Sequence, residues 1–158
     1  MAHNMVHEGG AAPEFEFEDS SGKIIRLSDL KGKPVVVYFY PRDDTSGCTR
    51  QAIEFTQMIN DFYSLGAKII GVSPDTAASH EKFKAKHNLK VQLAADTEKS
   101  VAQAYGVWVS KSMYGRKYMG VERSTFLIDA DGAIARIWRK VRVPGHVEKV
   151  LEAVQQLS

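Results

Sequence analysis

Residues 34–49 read Pro-Val-Val-Val-Tyr-Phe-Tyr-Pro-Arg-Asp-Asp-Thr-Ser-Gly-Cys-Thr, and this stretch decides the fold. Its first half, Pro34 to Tyr40, is a continuous β-branched and aromatic run, the pattern of a strand buried on both faces. After the polar residues Arg42 to Gly47, the segment Thr49 to Leu65 carries Ala52, Phe55, Met58 or Ile59, and Phe62 on one face at helical spacing. Gly66 then ends the helix where a glycine is favoured. A buried strand, a polar loop and an amphipathic helix place that loop at the carboxyl end of a strand. Ligands of open α/β sheets collect at such ends.

The elements alternate on either side. Phe15 and Phe17, then Ile24, Ile25 and Leu27, form an N-terminal β-hairpin around Ser20–Ser21–Gly22. Lys68 to Val72 reads as a second buried strand, Thr76 to His87 as a charged surface helix with Phe83 inward, and Glu98 to Tyr105 as a shorter helix. Ser124 to Asp129 and Ala133 to Val141 read as two strands joined by the turn signal Asp129–Ala130–Asp131–Gly132. Val147, Val150, Leu151, Val154 and Leu157 form one apolar stripe, the last helix, with Pro144 just before it. This alternation predicts an α/β fold with a mixed central β-sheet flanked by helices. Residues 1–10, with His3, Asn4, His7 and Gly9–Gly10, read as a flexible leader, and residues 11–158 as a single domain.

Composition bounds the function. The chain has 158 residues, 44% of them hydrophobic and 25% charged, enough apolar material for a core without disulfides or metals. Its single cysteine cannot form an internal disulfide and suits a reducing compartment. The net charge of +2 is no nucleic-acid footprint. The longest apolar run, Val35 to Tyr40, is far short of the ~20 residues of a membrane span. The start lacks a charged segment followed by an apolar one, so no secretory signal is read and a cytoplasmic protein is expected.

Cys48 carries the chemistry. Placed at a helix start, its thiol meets unpaired backbone N–H groups and the positive end of the helix dipole. Both favour thiolate, the reactive form. Pro41, Thr45 and Cys48 make the pattern Pro-x-x-x-Thr-x-x-Cys. Together with Glu122–Arg123–Ser124–Thr125–Phe126–Leu127–Ile128–Asp129, with Ala12–Pro13–Glu14–Phe15 and with Gly71–Val72–Ser73–Pro74–Asp75, it resembles the peroxiredoxins of the bacterioferritin-comigratory or Q branch over nearly the whole chain.

That resemblance implies a thioredoxin-like fold and a thiol-dependent peroxidase acting on hydrogen peroxide and organic hydroperoxides. A thiolate attacks one peroxide oxygen in line and expels the other, so negative charge spreads over sulfur and both oxygens. Catalysis needs donors aimed at that charge. Arg123 supplies a cation that does not deprotonate. The Thr45 hydroxyl can donate to a peroxide oxygen, as can the Cys48 N–H. Pro41 would shield the oxidised sulfur.

The sequence departs from the branch in two places. Ser46 stands where proline is common, and serine suits the N-cap position. The resolving cysteine of related chains falls at Ile53 or at Lys84 here, and neither side chain can attack a sulfenic acid. A one-cysteine mechanism follows, with an external thiol from thioredoxin, glutaredoxin or glutathione as reductant. The branch also implies a monomer.

Rival readings are weaker. A dithiol oxidoreductase needs Cys-x-x-Cys, and the second position is Gln51. A thiol-switch or chaperone-like binding module remains the non-enzymatic alternative. Arg136, Arg139, Lys140 and Arg142 around Trp138 read as a solvated strand face rather than a nucleic-acid strip. Lys111, Arg116 and Lys117, with Met113, Tyr114 and Tyr118, read as a loop that could flank the site and meet a reducing partner. His80 and His87 read as solvated, Asp129-x-Asp131-Gly132 lacks the rest of a calcium loop, and no metal, cofactor or nucleotide is expected.

Overall fold

In the computed structural model, which describes residues 6–157, the run Val35–Phe39 is a strand buried at all five positions. The elements in chain order are β1 (Glu16–Glu18), β2 (Ile24–Arg26), β3 (Val35–Phe39), α1 (Ser46–Gln57), α2 (Ile59–Ser64), β4 (Lys68–Ser73), α3 (Ala77–His87), β5 (Gln92–Ala95), α4 (Ser100–Ala104), β6 (Trp108–Met113), β7 (Arg116–Val121), β8 (Ser124–Ile128), β9 (Ile134–Trp138) and α5 (His146–Leu157).

The central sheet has the order β5-β4-β3-β8-β9. β3, β4 and β5 run parallel, whereas β8 pairs antiparallel with both β3 and β9. Successive side chains of a strand face opposite ways, so β3 feeds two cores. Val36, Tyr38 and Tyr40 pack with Phe55, Phe62 and Val150 of the helices. Val35, Val37 and Phe39 pack with Phe15, Phe17, Tyr105 and Phe126 on the other face. This is the mixed central sheet flanked by helices that the sequence predicts, with β1 and β2 as an N-terminal antiparallel hairpin.

Several boundaries differ from the sequence expectation. The helix read over 49–65 is two, broken at Met58, whose N–H reaches back to the carbonyls of both Glu54 and Phe55 at 3.2 Å. One non-helical residue leaves the apolar face in register, so periodicity does not reveal the break. The segment taken for a loop before Arg123 is the hairpin β6–β7. Its turn is Tyr114–Gly115, both at positive φ, 53° and 78°, the backbone of a two-residue type I′ connection. Tyrosine is not a usual residue there, which hid the turn. The leader read over residues 1–10 lies outside the described residues for its first five positions. Glu8, Gly9 and Gly10 are tied to β9 by hydrogen bonds to Ile137 and Ile134. No described helix is long and apolar enough to cross a membrane.

Gly71 of β4 fixes how closely β3 packs. A Cβ there would lie 2.7 Å from Cζ of Tyr38. That ring has no room to retreat, because it stacks on Phe55 at 4.7 Å and on Tyr40 at 5.6 Å. A Gly71→Ala variant should therefore lose about 1–3 kcal/mol of stability through overpacking, read as a lower denaturant midpoint. An unchanged midpoint would show that the aromatic stack can yield.

Candidate active site

The polar loop between β3 and α1 brings Cys48 to the first turn of α1. Thr45, not Ser46, is the N-cap, at φ −88° and ψ 157°. Serine therefore occupies the first helical position. The Thr45 hydroxyl bonds no first-turn N–H and instead donates to the Arg42 carbonyl at 3.0 Å. The N–H groups around Cys48 are thus not consumed by a side-chain cap. Cys48 is 1% exposed. Pro41 sits half-buried at the strand exit.

Arg123 reaches Cys48 because of strand register. β3 and β8 are antiparallel with Phe39 opposite Ser124. The residue before β8 is therefore level with the residue after β3, although Arg123 and Cys48 lie 75 positions apart. The Arg123 carbonyl accepts from the N–H of Val141 at 2.9 Å, fixing its backbone. Its Nη2 lies 3.3 Å from Cys48 Sγ, while Nη1 donates to Gln51 Oε1 at 2.7 Å. Gly47 leaves the space this requires, since a Cβ there would lie 3.2 Å from Nη2. A fixed cation thus stands against sulfur, positioned to neutralise negative charge that develops there.

Gln51 has a role the sequence did not suggest. It is fully buried one turn along α1 from Cys48 and orients the guanidinium. Among the described residues its Nε2 has no hydrogen-bond partner, and neither has the buried Tyr38 hydroxyl. The two residues at the resolving-cysteine positions of related chains are engaged otherwise. Ile53 packs against the helix-side core, and Lys84 donates to Ser20.

The reading of His80 and His87 as solvated is corrected for His80. It is 2% exposed, with Nδ1 2.7 Å from Asp43 Oδ2 and Nε2 3.2 Å from the Ala94 carbonyl. Tyr40 and Ser79 hydroxyls also donate to Asp43, at 2.6 and 2.7 Å, and the Asp43 N–H donates to Asp75. Burial pushes the Asp43 carboxyl up, but the donors His80, Tyr40 and Ser79 more than offset this and hold it below the usual aspartate range. Asp43, Asp75 and His80 place potential metal-binding atoms within 4.8 Å of one another. The contacting oxygens are already committed to hydrogen bonds, so the cluster reads as a network that ties the loop to α3. Asp44, at φ 61°, adds an exposed tie to His87 and Lys86.

Lys111 lies half-buried on β6. Burial and then the Arg123 cation hold its ammonium below the ordinary lysine range, opposed by Glu122 and Cys48.

Comparisons with known proteins agree with this geometry. The AhpC/TSA family pattern matches residues 9–137. Peroxiredoxin Bcp of Bacillus subtilis is 47% identical over 153 residues, covering 97% of this chain and 98% of its own. The structure of a cysteine-to-serine mutant of Xylella fastidiosa PrxQ superposes with a TM-score of 0.91 at 33% identity, covering 97% and 98% of the two chains. The bacterioferritin comigratory protein of Xanthomonas campestris, studied for its alkyl peroxide reduction activity, gives a TM-score of 0.85 at 38% identity, over 90% of each chain.

Proposed function

Because the chain belongs to the AhpC/TSA family, among the peroxiredoxins of the Bcp and Q branch, we propose that Cys48 is the nucleophile of a one-cysteine peroxidase. The contact of 3.3 Å between Arg123 Nη2 and Cys48 Sγ carries the reading. The Cys48 thiolate attacks one oxygen of hydrogen peroxide or an organic hydroperoxide. The O–O bond breaks, and water or an alcohol leaves after protonation. Arg123 balances charge on sulfur and the peroxide, with Gln51 holding it in place. The Cys48 N–H donates to the bound peroxide. Thr45 contributes by turning its hydroxyl from the Arg42 carbonyl to a peroxide oxygen, and Pro41 screens the sulfenic acid from water.

With one cysteine in the sequence, no internal thiol can resolve that acid. An external thiol, from thioredoxin, glutaredoxin or glutathione, restores Cys48. The lone thiol fits the reducing cytoplasm. Residues 11–158 act as one monomeric domain.

One equivalent of hydrogen peroxide without thiol should add a single oxygen to Cys48, visible by mass spectrometry. Each peroxide should then be turned over repeatedly with at least one of the three thiols. A Cys48 that stays reduced, or a single turnover with every thiol, would overturn the proposal.

A further inference from the structure

The β6–β7 hairpin exposes an unusual surface. Among the described residues there are seven exposed large hydrophobics, and four are here: Met113 at 57%, Tyr114 at 98%, Tyr118 at 44% and Met119 at 50%. Exposed apolar side chains gathered in one place mark interaction sites. Tyrosine, methionine and arginine are also the types enriched where proteins meet.

Register sorts the hairpin's side chains between two faces. Val109 lies opposite Gly120, Lys111 opposite Tyr118, and Met113 opposite Arg116, so these six share one face. On this face Lys111 is half-buried while Tyr118, Met113 and Arg116 stand exposed. Gly120 leaves room for Lys111 to lie across the hairpin, since a Cβ there would stand 3.2 Å from Lys111 Cδ. The connection is short as well. β7 ends at Val121, and Glu122, held to the Val107 carbonyl at 2.8 Å, leads straight into Arg123. Lys111 and Arg116 make this face cationic, with Arg123 at its base.

We propose that this hairpin docks a protein dithiol reductant whose reactive cysteine is rimmed by acidic and apolar residues. The inference rests on the one-cysteine reading above. The Cys48 sulfenic acid needs an outside thiolate that approaches within bonding distance, past whatever rims the site. Opposite charge steers such a partner and sets its register, while Tyr118 and Met113 supply the desolvated contact. The partner's thiolate attacks Cys48 sulfur, forming a mixed disulfide as hydroxide leaves and is protonated to water. The partner's second thiolate then attacks the partner sulfur of that bond. The partner departs as a disulfide, oxidised by two electrons, and Cys48 returns as thiolate.

Two variants test this, Arg116→Glu, and Met113→Ser with Tyr118→Ser. The protein reductants are thioredoxin and glutaredoxin, with dithiothreitol as a small dithiol control. Oxidation of Cys48 by hydrogen peroxide and turnover with dithiothreitol should match the unmodified protein. With whichever protein reductant supports turnover, kcat/KM should fall roughly tenfold or more, mainly through KM. The charge variant should also lose the salt dependence of that step. The docking proposal fails if kcat/KM with the protein reductant stays within about twofold. It fails equally if dithiothreitol turnover drops in parallel, or if neither protein supports turnover that dithiothreitol sustains. Absence of Cys48 oxidation in the unmodified protein would instead remove the peroxidase reading itself.

Discussion

Peroxide consumption is expected to fall to background in a Cys48→Ser variant and by roughly a hundredfold or more in an Arg123→Met variant. The first loss is complete because serine at this site has no base to activate it. The group that faces the sulfur is the Arg123 guanidinium, held by Gln51, and it takes up no proton. The second is large because the guanidinium does two things at once. Nη1 is anchored on Gln51 at 2.7 Å while Nη2 faces sulfur at 3.3 Å. Methionine keeps much of the volume but supplies neither donor nor charge. Lysine restores charge without the planar fork, so Arg123→Lys should recover only part of the rate. Gln51→Leu leaves the cation present but unheld and should cost less than Arg123→Met, about tenfold. Stopped-flow measurement of Cys48 oxidation separates these steps from thiol reduction. A fall of less than tenfold in Arg123→Met would mean that the backbone donors suffice. Peroxide consumption retained in Cys48→Ser would remove the nucleophile assignment.

What could be read from the sequence follows from how far each signal travels. β3 was legible because a strand buried on both faces announces itself in consecutive residues. The pairing of Cys48 with Arg123 was legible only through family resemblance, since nothing local links positions brought together by the register of β3 and β8. Gln51 looked like a helix-face polar residue, and its contact with Arg123 depends on the same register. His80 sits on a charged helix of weak amphipathic pattern, so it read as exposed. Its partner Asp43 lies 37 positions earlier, in a different loop. The hairpin turn at Tyr114–Gly115 was hidden because tyrosine occupies a left-handed position usually given to asparagine or glycine. The cap at Thr45 was displaced by one residue, a boundary error that side-chain preferences alone do not resolve.

Asp43→Ala is expected to cost about 3–5 kcal/mol of stability, the typical loss when one partner of a buried pair is removed. Side chains of Asp43 and His80 are only 4% and 3% exposed, so water cannot replace the missing carboxylate. Tyr40, Ser79 and His80 would each be left facing an empty acceptor position. Asp44 is the internal contrast. Its partners Lys86 and His87 meet it at the surface, and Asp44→Asn should leave the denaturant midpoint almost unmoved.

The pH dependence of Asp43 has a definite sign. Its folded-state carboxyl titrates below the ordinary aspartate value of ~3.9. The folded protein therefore binds this proton less readily than the unfolded chain does. The resulting stability is present above that ordinary value and is lost as pH falls through the folded one. His146 acts in a higher window. Burial first, then the cations Lys149 and Arg123, lower it from 6.5 to about 4, so its contribution fades as pH drops between those values. Urea midpoints at neutral pH, at about pH 5 and at about pH 3 should thus show a large gap between the unmodified protein and Asp43→Ala at the first two, narrowing at the third. A gap below about 1 kcal/mol at neutral pH would mean that the loop and α3 are held together by packing rather than by this carboxylate.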